Sequence, residues 1–150
     1  MGTQLIWLFL AMAFMAGAFM PVQAGINGLL AREISSSLAA ATISFMVGTL
    51  ALTLALLFQR ESISAVALRQ LQWWHWAGGL MGAFFVFTAA HAAPRIGALL
   101  FMALVLAGQM SSALLLDHQG WLGFRHSPLN AGKALGLACI VLGVWLIRRG

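Results

Sequence analysis

The stretch MGTQLIWLFLAMAFMAGAFMPVQAGINGLLA, residues 1–31, contains no charged side chain. It is longer than the ~20 residues that an α-helix needs to cross the hydrocarbon of a bilayer. A second uncharged run covers 34–59, and further apolar runs cover 70–94, 96–116 and 134–147. The last run is short, and snorkelling of Lys133 extends it towards Leu129 to about the spanning length. The sequence therefore predicts an all-α, polytopic integral membrane protein with five transmembrane helices, forming one domain over 1–150.

The composition excludes several other classes of protein. Apolar residues make up 62% of the chain and charged residues 7%, which leaves too little polar surface for a water-facing globule. The net charge of +5 comes without a basic patch or basic helix, so nucleic acid is not an expected partner. Cys139 is the single cysteine, and no nucleophile–base set, zinc cluster or phosphate loop is present. We expect no enzyme, no metal site and no cofactor.

The first run also resembles a secretory signal, because it ends in Val22-Gln23-Ala24, a small-residue pattern of the kind that signal peptidase cleaves. However, no Lys or Arg precedes the run, and the apolar sequence continues through Leu30. We therefore expect the segment to remain as the first membrane span.

The basic residues between the spans are divided evenly. Of the eight Lys and Arg side chains, four fall on the side of the N-terminus and four on the other. Orientation follows the excess of Lys and Arg in short loops, and here the excess is zero. An odd number of spans with balanced charge predicts insertion in both directions and an antiparallel dimer. A fixed orientation, set by a partner, is the alternative. The two sets are Arg60, Arg69, Arg125 and Lys133, and Arg32, Arg95, Arg148 and Arg149.

The first span contains a candidate substrate site. Pro21 removes the helical partner of the Gly17 carbonyl and predicts a break, while Gln23 and Asn27 lie four residues apart on one face. Transporters build substrate sites from interrupted helices; the alternative is that the two amides only hold helices together. The remaining residues predicted for this site are Gln109 of the fourth span and an apolar wall of Met15, Phe19 and Met20.

Asp117 and His118, at the end of the fourth span, are a candidate pair for proton coupling, because histidine changes its charge near physiological pH. They also fit an ordinary acid and histidine at the water boundary. No Asp or Glu lies deep in a span, which argues against a cation exchanger built on a buried carboxylate. The sequence favours a neutral, zwitterionic or anionic substrate.

Small residues at spacings of four and seven let membrane helices approach closely. Gly78 and Gly82 in the third span and Gly136 and Gly143 in the fifth follow this pattern. We expect these glycines to serve packing, with the fifth helix as a candidate dimer contact.

Five phrases resemble one family in their order along the chain: PVQAGIN (21–27), AAATISFMVGTLAL (39–52), WAGGLMGAFFVF (76–87), APRIGA (93–98) and GQMSSALLLDHQGWLGF (108–124). Together they resemble the YdcZ-type branch of the drug/metabolite transporter superfamily. The resemblance implies a five-helix half-transporter that pairs antiparallel with itself or a paralogue in the bacterial inner membrane. The shared motif positions are Pro21, Gln23, Asn27, Gly48, Gly79, Pro94, Gly97, Gly108, Gln109 and Asp117.

These observations predict a secondary transporter subunit that moves a small molecule by alternating access. Related small multidrug exporters use a carboxylate in the first helix, and this chain has no Asp or Glu before Glu33, so their proton exchange is not expected here. A narrow channel and a structural or accessory subunit of a larger complex remain the alternatives.

Overall fold

The computed structural model describes residues 3–150, and the described chain is helical with short connections. Five segments are long and apolar enough to cross a membrane, in agreement with the predicted all-α, five-span architecture. The third of these spans, Trp73–Ile96, includes a 3-10 turn at Trp73–Trp76 before its α-helix. The α-helices are α1 (Thr3–Glu33), α2 (Ser37–Gln59), α3 (Ala65–Arg69), α4 (Ala77–Ile96), α5 (Ala98–Gln119) and α6 (Ala131–Arg149).

Two compact units make up the chain, the first ending at Arg95 and the second comprising Ile96–Gly150. Within the first unit, α1 packs along α2. Alanines form most of its buried surface: Ala31, Ala40 and Ala90 cluster together, with Leu30 packed against them. Because lipid tails are as apolar as leucine, membrane helices gain association energy from close backbone approach, which small side chains permit.

Gly28 of α1 lies directly against Pro94 of α4. A Cβ added to Gly28 would lie 2.7 Å from Cγ of Pro94. A second glycine contact joins α4 to α2, where a Cβ on Gly82 would lie 3.3 Å from Cζ of Phe45. Gly82 therefore lies against α2, and its role in packing stays a prediction; Gly28 was not identified from the sequence.

A tight turn joins α1 to α2. Ser35 adopts a left-handed conformation with φ of 54°, and Ser36 begins α2 by accepting a hydrogen bond on Oγ from the amide of Ala39 at 3.1 Å. A serine at this position satisfies one of the amide donors that the first turn of a helix leaves open. Ser36 is therefore the N-cap of α2.

The predicted break at Pro21 is corrected by the structure, because α1 continues as one helix from Thr3 to Glu33 with Pro21 inside it. Proline removes one backbone donor, and the hydrogen bonds on either side are enough to keep the helical path. The polar side chains of α1 are therefore presented by a continuous helix.

The second unit is an α-helical hairpin in which α5 packs against α6. Gly120 ends α5 in a left-handed conformation with φ of 67°, and Asn130 begins α6 by accepting on Oδ1 from the amide of Lys133 at 2.9 Å. The Lys133 ammonium turns back to the loop and donates to the Ser127 carbonyl and hydroxyl and to the Pro128 carbonyl, at 2.8, 2.7 and 3.2 Å. Lys133 therefore ties the loop to the start of α6, consistent with the predicted direction of its side chain.

Large apolar side chains cover the outside of the described helices. Phe14 is 76% exposed and Phe58 is 86% exposed. A soluble protein rarely presents apolar surface on this scale, so the expected environment of a lipid bilayer fits the structure. At the end of α6, the guanidinium of Arg149 lies 3.9 Å from the ring centre of Trp145, an arrangement suited to the membrane boundary.

Candidate functional site

A buried amide lies between the first two spans. Asn27 on α1 is 5% exposed and donates from Nδ2 to the Ser44 hydroxyl on α2 at 3.3 Å. Burying an amide among apolar side chains is costly unless it is hydrogen-bonded. An asparagine side chain has two N–H donors and a carbonyl acceptor, so the Ser44 contact uses only part of its capacity.

An open groove runs between α1 and α2 beside this amide. Its volume is about 410 Å³, within the range of small-molecule sites. Its three polar side chains are Gln23, Asn27 and Ser44, and no charged residue is among its described lining. The remaining lining residues are Phe19, Val22, Ile26, Leu30, Ile43 and Val47.

The groove brings together part of the predicted substrate site. Gln23 and Asn27 share it, as their spacing predicted, and Phe19 lies in its wall. Met15 and Met20 are on the same helix but are not among the residues that line the groove. Ser44 was missed, although a single serine inside the apolar run 39–52 was a visible signal, because a buried amide needs a partner on a neighbouring helix.

Gln109, also predicted for the substrate site, belongs to the second unit. It lies on α5 with its side chain exposed. Its participation in a site with Gln23 and Asn27 stays a prediction.

Asp117 and His118 lie at the end of α5, where the loop folds back. The backbone carbonyl of Asp117 accepts from the Ser127 amide at 2.8 Å, and His118 Nδ1 accepts from the Leu129 amide at 3.2 Å. The two residues hold the loop, and their predicted role in proton coupling stays a prediction.

With this geometry established, comparison with known proteins identifies the family. Residues 8–146 match the family model described as "Putative inner membrane exporter, YdcZ". The chain belongs to the YdcZ family. It is 29% identical over 148 residues to the inner membrane protein YdcZ of Escherichia coli strain K12, a match that covers 95% of both chains. No solved structure matches the chain significantly.

Membership of the YdcZ family confirms the resemblance predicted from the five sequence phrases. The family match and the five apolar helices together indicate a multi-pass protein of the inner membrane. The groove between α1 and α2 lies within the matched region of the YdcZ family.

The other predicted packing glycines of this YdcZ-family chain face open space. A Cβ added to Gly78, Gly136 or Gly143 would meet no described atom within 4 Å. At these three positions, unlike at Gly82, no described side chain of another helix lies in contact distance of the added Cβ. Their predicted role in a dimer contact stays a prediction.

Proposed function

We propose that this chain is one half of an exporter and moves a small, uncharged or zwitterionic molecule across the inner membrane by alternating access. Two copies, inserted in opposite orientations, form the complete transporter. The proposal agrees with the family description as an exporter. It assigns substrate binding to the groove between α1 and α2.

The observation that supports the site most strongly is the buried amide of Asn27 beside an open, mostly apolar groove. Membrane helices seldom carry polar side chains without a partner or a function. Gln23 and the unused donor and acceptor capacity of Asn27 give the groove hydrogen-bonding groups for a substrate. The uncharged lining favours a substrate without net charge, because an isolated charge would be costly to desolvate there.

The antiparallel pair rests on the balance of basic residues and on the odd number of spans. A second copy inserted upside down produces an inverted repeat, in which equivalent substrate sites can open to either side. The open faces at Gly136 and Gly143 on α6 are the surfaces we assign to the contact between copies. Small residues there let two backbones approach closely.

Transport by purified protein in liposomes tests this function. A panel of small neutral and zwitterionic metabolites is screened for uptake that saturates with concentration and that is accelerated by the same compound on the opposite side. We expect Gln23→Leu and Asn27→Leu each to reduce such uptake by at least about tenfold, because each substitution removes one or two hydrogen bonds to the substrate. The matched control is Thr53→Val, because the Thr53 hydroxyl bonds to the Thr49 carbonyl of its own helix at 2.8 Å and does not line the groove.

The same assay separates the rival functions. A channel gives flux that does not saturate and is not accelerated from the opposite side. An accessory subunit gives no flux by itself. Equal loss of transport in Asn27→Leu and Thr53→Val contradicts the assignment of the groove.

A further inference from the structure

A basic cavity lies at the end of the first unit where α1 ends, α2 begins and α4 ends. Its volume is about 710 Å³, and it has two arginines and a histidine but no carboxylate among its described lining residues. Arginines at the ends of membrane spans extend to the interface, where they meet water or lipid headgroups. The polar residues of this cavity are Arg32, Ser35, Ser36, Ser37, His91 and Arg95.

Both guanidinium groups are available to a ligand. Arg32 and Arg95 are exposed in the chain. Arg95 donates from one Nη1 hydrogen to the backbone carbonyl of His91, and a guanidinium has five N–H donors. Most donors of the pair therefore remain free, and guanidinium groups bind phosphate oxygens in a bidentate geometry.

The first turn of α2 adds neutral donors to the same cavity. The amide of Ala39 bonds to the Ser36 hydroxyl and that of Ala40 to the Ser36 carbonyl at 3.0 Å. The amides of Ser37 and Leu38 have no acceptor inside α2, since a helix leaves its first four N–H groups open. The start of this 23-residue helix also carries a partial positive charge.

The histidine of the cavity is fixed in place. His91 Nδ1 lies 3.3 Å from the Ser37 hydroxyl, and its ring stacks on Phe87 with the ring centres 5.7 Å apart. The contact with His91 holds the Ser37 hydroxyl in place at the start of α2. Hydroxyl, amide and guanidinium donors converge on one space from three helices.

We propose that this cavity binds a phosphate group, supplied either by the headgroup of a phospholipid or by a free phosphate. The combination of two arginines, serine hydroxyls and a helix N-terminus is suited to phosphate. The cavity is also lined by residues at the ends of three candidate membrane spans, and the ends of membrane spans meet the lipid headgroups. This site is separate from the α1–α2 groove and does not depend on the proposed transport function.

Two measurements on the purified full-length protein distinguish the sources. In a non-ionic detergent, thermal unfolding is followed while inorganic phosphate replaces chloride at constant ionic strength. In parallel, native mass spectrometry records the retention of phosphatidylglycerol added to the same sample. The test variant is Arg32→Gln with Arg95→Gln, and the control is Arg69→Gln with Arg148→Gln, which removes the same charge from residues outside the cavity.

For a free-phosphate site, phosphate raises the Tm of the wild type and the control but not of the test variant. For a lipid site, phosphatidylglycerol binds the test variant at least tenfold more weakly than the control, and inorganic phosphate has no effect on the Tm. If the double variant does not fold, the single variants Arg32→Gln and Arg95→Gln are each expected to weaken binding several-fold. If the arginines only offset the negative ends of α1 and α4, test and control variants respond alike to both probes, and the proposal is overturned.

Discussion

The side-chain amide of Asn27 on α1 donates to the Ser44 hydroxyl on α2 at 3.3 Å, and this pair borders the groove that we assign to substrate. The contact serves two purposes in our account. It satisfies a buried polar group, and it holds the amide at the edge of the open space.

The strength of the Asn27–Ser44 contact is measurable by a double-mutant cycle with Asn27→Ala, Ser44→Ala and the double variant. Hydrogen bonds between membrane helices average about 0.6 kcal/mol and reach about 1.7 kcal/mol in such cycles, and we expect a coupling energy in this range. Unfolding in mixed micelles, followed by circular dichroism, gives the values. Additive effects of the two single substitutions would contradict the contact.

Replacement of Gly28 by alanine is expected to destabilise the first unit by about 1–3 kcal/mol, the usual effect of overpacking. The added Cβ would lie 2.7 Å from the rigid ring of Pro94. Gly25→Ala is the matched control on the same helix, because its Cβ would meet nothing within 4 Å, and it is expected to stabilise α1 by about 0.5–1 kcal/mol. Similar unfolding midpoints for the two variants would show that α1 and α4 do not pack as described.

The eight basic residues are balanced between the two sides. We therefore expect that replacing one pair of arginines gives the chain a single orientation in the membrane. The variant Arg148→Gln with Arg149→Gln keeps four basic residues on the side of the N-terminus and two on the other side. The side with more basic residues stays in the cytoplasm. The C-terminus of this variant should then lie outside the cytoplasm, and only a C-terminal reporter that is active there should give signal. The reverse pair, Arg60→Gln with Arg69→Gln, should activate only a cytoplasmic reporter. Wild-type signal on one side alone would contradict dual insertion.

Lys133→Met is expected to loosen the loop between α5 and α6. The Lys133 ammonium donates to the Ser127 carbonyl and hydroxyl and to the Pro128 carbonyl, and hydrogen bonds of charged groups contribute about 1.5–3 kcal/mol each at most. Amide hydrogen exchange in residues 120–130 should become faster. Arg125→Gln, which removes a charge from the same loop, is the control and should leave this exchange unchanged. Equal exchange rates in the Lys133→Met variant and the wild type would overturn the assigned role of Lys133.

The sequence was sufficient to predict the spans, because the length of an apolar run is set by the thickness of the bilayer. It also placed Gln23 and Asn27 on one face, since helical spacing depends on the backbone alone. The contacts of Ser44 and Gly28 were not predicted, because they depend on which helix lies opposite and at what rotation. The helix through Pro21 was predicted wrongly for a related reason: the loss of one backbone donor does not decide the path of a long helix.

The sequence predicted one feature of the basic cavity, which is that its two arginines lie on the same side of the membrane. Counting charges by side placed Arg32 and Arg95 on the same side of the membrane, and the structure places both in one cavity. Their convergence with the serines at the start of α2 follows from the packing of α4 beside the α1–α2 turn, which no local pattern specifies.

The most direct test of the central claim uses the two orientation variants together in cells. Export of the substrate identified in the liposome screen is measured in cells that express Arg148→Gln with Arg149→Gln, in cells that express Arg60→Gln with Arg69→Gln, and in cells that express both proteins. If the transporter is an antiparallel pair of this chain, each variant alone is inactive and their co-expression restores export. Full export by either single-orientation variant alone would contradict the account.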